Sequence, residues 1–161
     1  MIENTFKSFM ASTLILRQAA EAAARAKIKD QNCSLVTIEL NADYASIAFM
    51  AIPAWTAFAV EMGLKTLLTS TKFDQNPLGH DLAKLLRKLP SEIQGEIESK
   101  TLEGIESSEN TNFAILLEEN RLVFEEWRYF HEGKSTQSNI GFLQSLMLAI
   151  HNVNISNKVN A

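Results

Sequence analysis

The side chains with the most chemical potential lie in three stretches of this chain. Glu61 and Lys65 are the only charges in Ala54 to Leu68, where apolar side chains cover almost the whole circumference at about 100° per residue. Four residues apart, they share one helical stripe close to Phe58, Met62 and Leu68. Removing a charge from water costs several kcal/mol, so each needs a partner. Either the two pair with each other at the edge of a bundle, or they hold a polar group from another helix. Arg128 is the leading candidate for that group.

His80 and Asp81 follow Gly79 at a helix start, where unpaired backbone N–H groups favour an anion. Asp81 acts there as a cap beside an incidental exposed His80, or the pair contacts a phosphate or base. Further on, Phe113, Leu116, Leu117, Phe124 and Trp127 form an inward stripe, and Arg121, Arg128 and His131 fall within about a right angle of Phe124. Arg121, Glu125, Arg128 and Glu132 also make a ladder of opposite charges at helical spacing. Such a ladder is the ordinary pattern of a solvated edge, and Arg121 with Glu125 is read that way. Arg128, between Trp127 and Tyr129, is read as ordered and interior, because a guanidinium stacks between aromatic planes and makes forked hydrogen bonds. His151, late in the last helix, reads as a helix-end or interface residue.

Residue inventory removes several chemistries. No Glu-x-x-His pair, His-Glu-x-x-His motif or glycine-rich phosphate loop is present, so no metal site and no cofactor are expected. Cys33 is the only cysteine, which excludes an internal disulfide and fits a reducing cytoplasm. Asp30-Gln31-Asn32 before it provide no cationic setting, so the thiol is expected to be inert. A formal net charge of -4 with a pI near 5.4 opposes attachment to nucleic acid through a broad positive field, and leaves local recognition of RNA or a nucleotide open. Glu3 and Lys7 interrupt the first apolar stretch, which therefore reads as part of the domain and not as a secretory signal. Tyr44 to Val60 is short of the roughly 20 residues a bilayer requires and contains Pro53, so it reads as a buried core helix.

The elements that must position these groups are helical. At 161 residues, with 46% hydrophobic and 21% charged residues and few Gly or Pro, one domain spanning 1–161 with a single core is expected. A first helix is predicted from about Asn4 to Lys29, ending in the Ala-dense run Ala19 to Ala26. Ser34 to Leu40 is rich in β-branched residues but has no partner strand, and is taken as a short helix or extended connector. Asn41 or Asp43 caps the next helix, and Pro53 is expected to kink or restart it before Ala54 to Ser70. A short helix from His80-Asp81 ends near Leu89, Pro90-Ser91 cap another to about Leu102, and 104–111 form a loop. One long helix from Asn112 to His131, ending at Gly133, and a last one over Ile140 to Val153 complete a bundle of about six helices.

Three segments, in this order, resemble the HEPN superfamily of small helical domains. They are Ala59-Val60-Glu61-Met62-Gly63-Leu64-Lys65-Thr66-Leu67-Leu68, then Gly79-His80-Asp81-Leu82-Ala83-Lys84-Leu85-Leu86, then Asn120-Arg121-Leu122-Val123-Phe124-Glu125-Glu126-Trp127-Arg128-Tyr129. The likeness covers about Ala45 to Ile150. It implies an all-α bundle that dimerises, with roles in nucleotide binding, RNA cleavage and toxin–antitoxin or defence systems beside a nucleotidyltransferase or antitoxin partner. In the family's ribonucleases an Arg precedes a His by four to six intervening residues. Here two residues separate Arg128 from His131 and nine separate Arg121 from it, so the chain departs from that pattern. What the resemblance implies is therefore a homodimeric module binding a nucleotide, RNA or a protein partner. Its polar cluster would comprise Glu61, Lys65, His80, Asp81, Arg128 and Tyr129. The alternatives are a metal-independent ribonuclease using Arg121 or Arg128 with His131, or with His80, and a purely structural or adaptor bundle.

Overall fold

The computed structural model describes residues 2–24, 44–71, 77–105, 112–128 and 138–159, with side chains described at 2–14, 52–71, 77–105, 112–127 and 138–157. These residues form an all-α bundle. Its helices are α1 (Ile2–Ala24), α2 (Tyr44–Ser70), α3 (Leu82–Arg87), α4 (Ser91–Glu103), α5 (Phe113–Asn120), α6 (Val123–Arg128) and α7 (Ile140–Val159), with no strand among the described residues. Ser34 to Leu40, Cys33 and Gly133 lie outside them.

The all-round apolar pattern of α2 makes it the centre of the bundle. It packs against α1, α3, α6 and α7, and Ala57, Val60, Leu64, Leu67 and Leu68 on several of its faces are fully enclosed. Burying each of the larger side chains contributes about 1.5–3 kcal/mol. The threonines among them satisfy their hydroxyls within the helix: Thr56 Oγ1 donates to the Ile52 carbonyl at 2.7 Å and Thr66 Oγ1 to the Met62 carbonyl at 2.8 Å. Pro53 does not restart this helix, contrary to one sequence expectation, because α2 runs unbroken from Tyr44 to Ser70. The cost of an interior proline, about 3 kcal/mol, is offset by burial of Ile52 and of the helix that follows it.

Where α1, α2 and α7 cross, Gly63 removes the side chain that would hold them apart. A Cβ at this position would stand 2.6 Å from Ile150 Cγ2 and 3.1 Å from the Phe6 ring, and both neighbours are themselves enclosed. Asn154 of α7 closes the same crossing by donating to the Ile150 carbonyl at 2.9 Å and the Gly63 carbonyl at 3.4 Å.

The later helices depart from the sequence expectations in three places. Ser91 is the first residue of α4 and not its cap; Pro90 stands at the cap position without a side-chain hydrogen bond. The single helix expected from Asn112 onward is divided at Arg121-Leu122. The Arg121 carbonyl leaves the helical ladder and accepts the Leu82 N–H at 3.0 Å, while Glu125 N–H turns to the Leu122 carbonyl at 2.9 Å. Buried Asn120, the last residue of α5, links the break to α7: its Nδ2 donates to the Leu116 carbonyl at 2.7 Å, and its Oδ1 accepts the Asn139 N–H at 2.8 Å and so anchors the residue that caps α7. Tertiary hydrogen bonds thus outbid helix continuation. α7 continues six residues past the expected end at Val153.

Two glycines test this packing. Gly63→Ala is expected to lose about 1–3 kcal/mol in urea denaturation by overpacking the three-helix crossing. Gly95→Ala, in the open on α4, is expected to gain about 0.5–1 kcal/mol from helix propensity alone.

Candidate functional site

The buried carboxylate of Glu61 organises the polar residues around it. Its side chain is 1% exposed, and Lys65 Nζ reaches Oε1 at 2.8 Å one helical turn later. The second partner arrives from outside the helix: His80 Nδ1 lies 2.9 Å from Oε2 and 3.1 Å from Oε1. Gly79, at φ 94°, turns the chain just before His80 through a conformation that glycine adopts most readily. The His80 ring then rests against Phe124 with centroids 5.5 Å apart, and Phe124 in turn against Phe58 at 4.8 Å.

Asp81 makes a second, adjoining cluster. Its Oδ1 accepts the Lys84 N–H at 3.0 Å and caps α3, while Oδ2 meets Arg121 Nη1 at 2.7 Å and Lys84 Nζ at 3.6 Å. Arg121 Nε also faces Glu118 at 3.3 Å, and Glu118 bonds Arg87. Burial pushes the Asp81 carboxyl upward, but the Lys84 N–H and the charges of Arg121 and Lys84 outweigh it and hold the group below its ordinary value of 3.8. The expected surface pairing of Arg121 with Glu125 is corrected accordingly: the division of the helix at Arg121 aims the guanidinium at Asp81 and Glu118.

A groove of about 480 Å³ opens over these groups, lined by Leu78, His80, Lys84, Lys88, Arg121 and Leu122 together with Gly79, Asp81, Leu85 and Glu125. Leu78 is the most exposed large hydrophobic residue described, at 74%, and stands on the lip. The structure therefore brings Glu61, Lys65, His80 and Asp81 of the expected cluster to one place and adds Arg121, Lys84, Lys88, Leu78 and Leu122. Lys84 and Lys88 had one sequence signal, their spacing of four and eight residues beyond His80 in the stretch the sequence reads as one short helix. Arg128 belongs to α6 by its backbone; its side chain, and the whole of Tyr129 and His131, lie outside the described residues. His151 sits elsewhere, its ring 6.0 Å from that of Phe6, in a separate hollow with Asn154 and Ile155. No group of three or more His, Cys, Asp or Glu among the described residues is placed to hold a metal, and no described helix is long and apolar enough to cross a membrane.

No family model, curated protein or solved structure matches this chain. Its chemistry is read from its own geometry.

That geometry is suited to anions. Lys84, Lys88, Arg121 and His80 face one groove with Asp81 and Glu125, and two of these cations, Arg121 and Lys84, also contact Asp81. The Asp81 contacts are open to a direct test. Because the folded carboxyl ionises more readily than the unfolded one, it contributes stability above pH 3.8 that disappears as pH falls through the lower folded value. Asp81→Asn preserves the cap but removes the charge, and is expected to cost about 1–2 kcal/mol at neutral pH. The gap to the wild type should close in acid, as followed by thermal denaturation across pH.

Proposed function

We propose that this chain is a HEPN-like, homodimeric binding module that takes the phosphate of a nucleotide or of single-stranded RNA into the groove between α3 and the α5–α6 junction. One observation carries the reading. On a chain of net charge -4, His80, Lys84, Lys88 and Arg121 line a single groove whose rim also offers apolar Leu78 and Leu122. Charged groups answer a phosphate and the leucines answer the face of a base, and a groove of about 480 Å³ is of the size that small-molecule sites occupy. A nucleotidyltransferase or antitoxin partner and a defence context belong to the same reading through the family resemblance.

The Glu61–His80 pair favours a second reading, a metal-independent ribonuclease. A carboxylate-oriented imidazole beside Arg121 has the form of a general base next to a phosphate clamp. His80 would take the proton of a ribose 2′-hydroxyl, whose oxygen attacks phosphorus. The 5′-oxygen departs with a proton from water, leaving a cyclic phosphate.

Calorimetry with ADP and with a short single-stranded RNA tests the first reading. Binding of either, weakened at least tenfold by Lys84→Glu with Lys88→Glu, supports it; absence of binding to both overturns it. Both lysines are exposed, so the variant is expected to fold. Sedimentation at twice the 18.0 kDa of one chain is the expected mass. RNA cleavage that His80→Ala abolishes and 2′-O-methylation blocks would select the ribonuclease.

A further inference from the structure

The contacts of His80 decide which of its nitrogens carries a proton, and with it how the groove treats an anion. Glu61 Oε1 is occupied by the Lys65 ammonium at 2.8 Å, and a carboxylate paired with an ammonium offers only lone pairs. Nδ1 stands 2.9 and 3.1 Å from the two carboxylate oxygens, so it must be the donor and hold a hydrogen. In the neutral ring the lone pair is then confined to Nε2. A bare Nε2 repels a phosphate oxygen; a protonated Nε2 donates to one.

We infer that the groove binds its phosphate together with a proton, taken up at His80 Nε2, so that ligand affinity is coupled to pH. This rests on the anion-binding reading given above and specifies how that site is regulated. The ring is placed for it. It is held on one side by Glu61 and braced by Phe124, with its side chain 39% exposed at the groove. The charges around it come from each neighbouring element: Glu61 and Lys65 from α2, Asp81 and Lys84 at the start of α3, Lys88 just after it, and Arg121 and Glu125 at the α5–α6 junction. A bound phosphate sets a negative acceptor beside Nε2, where only a protonated nitrogen can donate to it. Ligand and proton therefore promote each other's binding, as linkage requires.

His80→Asn isolates the effect, since its amide can still donate to Glu61 but cannot titrate. The probes are ADP and a 2′-O-methylated tetraribonucleotide with hydroxyl ends, which resists transesterification and whose phosphodiesters do not titrate near neutrality. Calorimetry at about pH 7.5, in buffers of different ionisation enthalpy, counts protons, and titrations between about pH 6 and about pH 8.5 follow affinity. The wild type is expected to take up as much as one proton more per site than His80→Asn. Its affinity should fall by up to about tenfold per pH unit toward the alkaline end, while that of the variant for the oligonucleotide stays flat. If either probe binds but the two proteins take up equal numbers of protons, the inference is wrong and the anion site stands. If neither probe binds at any pH, the site and the inference fall together.

Discussion

A carboxylate enclosed in an apolar helix is the constraint around which this molecule is arranged. Glu61 lies among Ala57, Val60, Leu64 and Leu68, where water does not reach it, and an ion left there alone would cost several kcal/mol. Lys65 answers one oxygen from within the helix, but a single ammonium leaves the other oxygen without a donor. The second donor, His80, has to be brought by the segment ahead of α3. That requirement fixes where the segment crosses α2, and so where α3 begins. Once α3 is placed, its first N–H, from Leu82, meets the Arg121 carbonyl and divides what would otherwise be one long helix. The groove is the space between these fitted pieces.

Much of the fold could be read before any coordinates. The enclosure of α2 followed from an apolar circumference, α1 from periodicity and an Ala-dense run, and α3 from the capping residue at its start. Asp81 as a cap was visible in its place after Gly79. Several of the errors concern what elements distant in the chain do to one another. Pro53 reads locally as an interruption, yet the helix around it is held by neighbours on several sides. Arg121 reads as one rung of a charge ladder only on the assumption of an unbroken helix. Asn120 and Asn139 carry no signal of their mutual bond, because nothing in their spacing tells that α5 ends beside the start of α7.

The site was legible in the same proportion. Arithmetic on a helical wheel singled out Glu61 and Lys65 and established that they needed a partner. It could not say that His80 was a partner, because that depends on the path of the turn through Gly79; the side chain of Arg128, the candidate it favoured, lies outside the described residues. Lys84 and Lys88 became candidates only once α3 was seen to face the α5–α6 junction. Leu78, an exposed hydrophobic in a turn, gains a reason when it is seen on the lip of a groove lined by cations.

The depth of Glu61 has one more consequence. Mobile ions screen charges that solvent can reach, over about 8 Å at physiological ionic strength, and act far less on a charge enclosed by protein. Lys84 stands in solvent, whereas Glu61 does not. Raising the salt concentration therefore weakens the field of Lys84 in solvent far more than the contact of Glu61 with the imidazole. The charge that faces solvent and the charge that aligns the imidazole thus answer differently to the surrounding electrolyte.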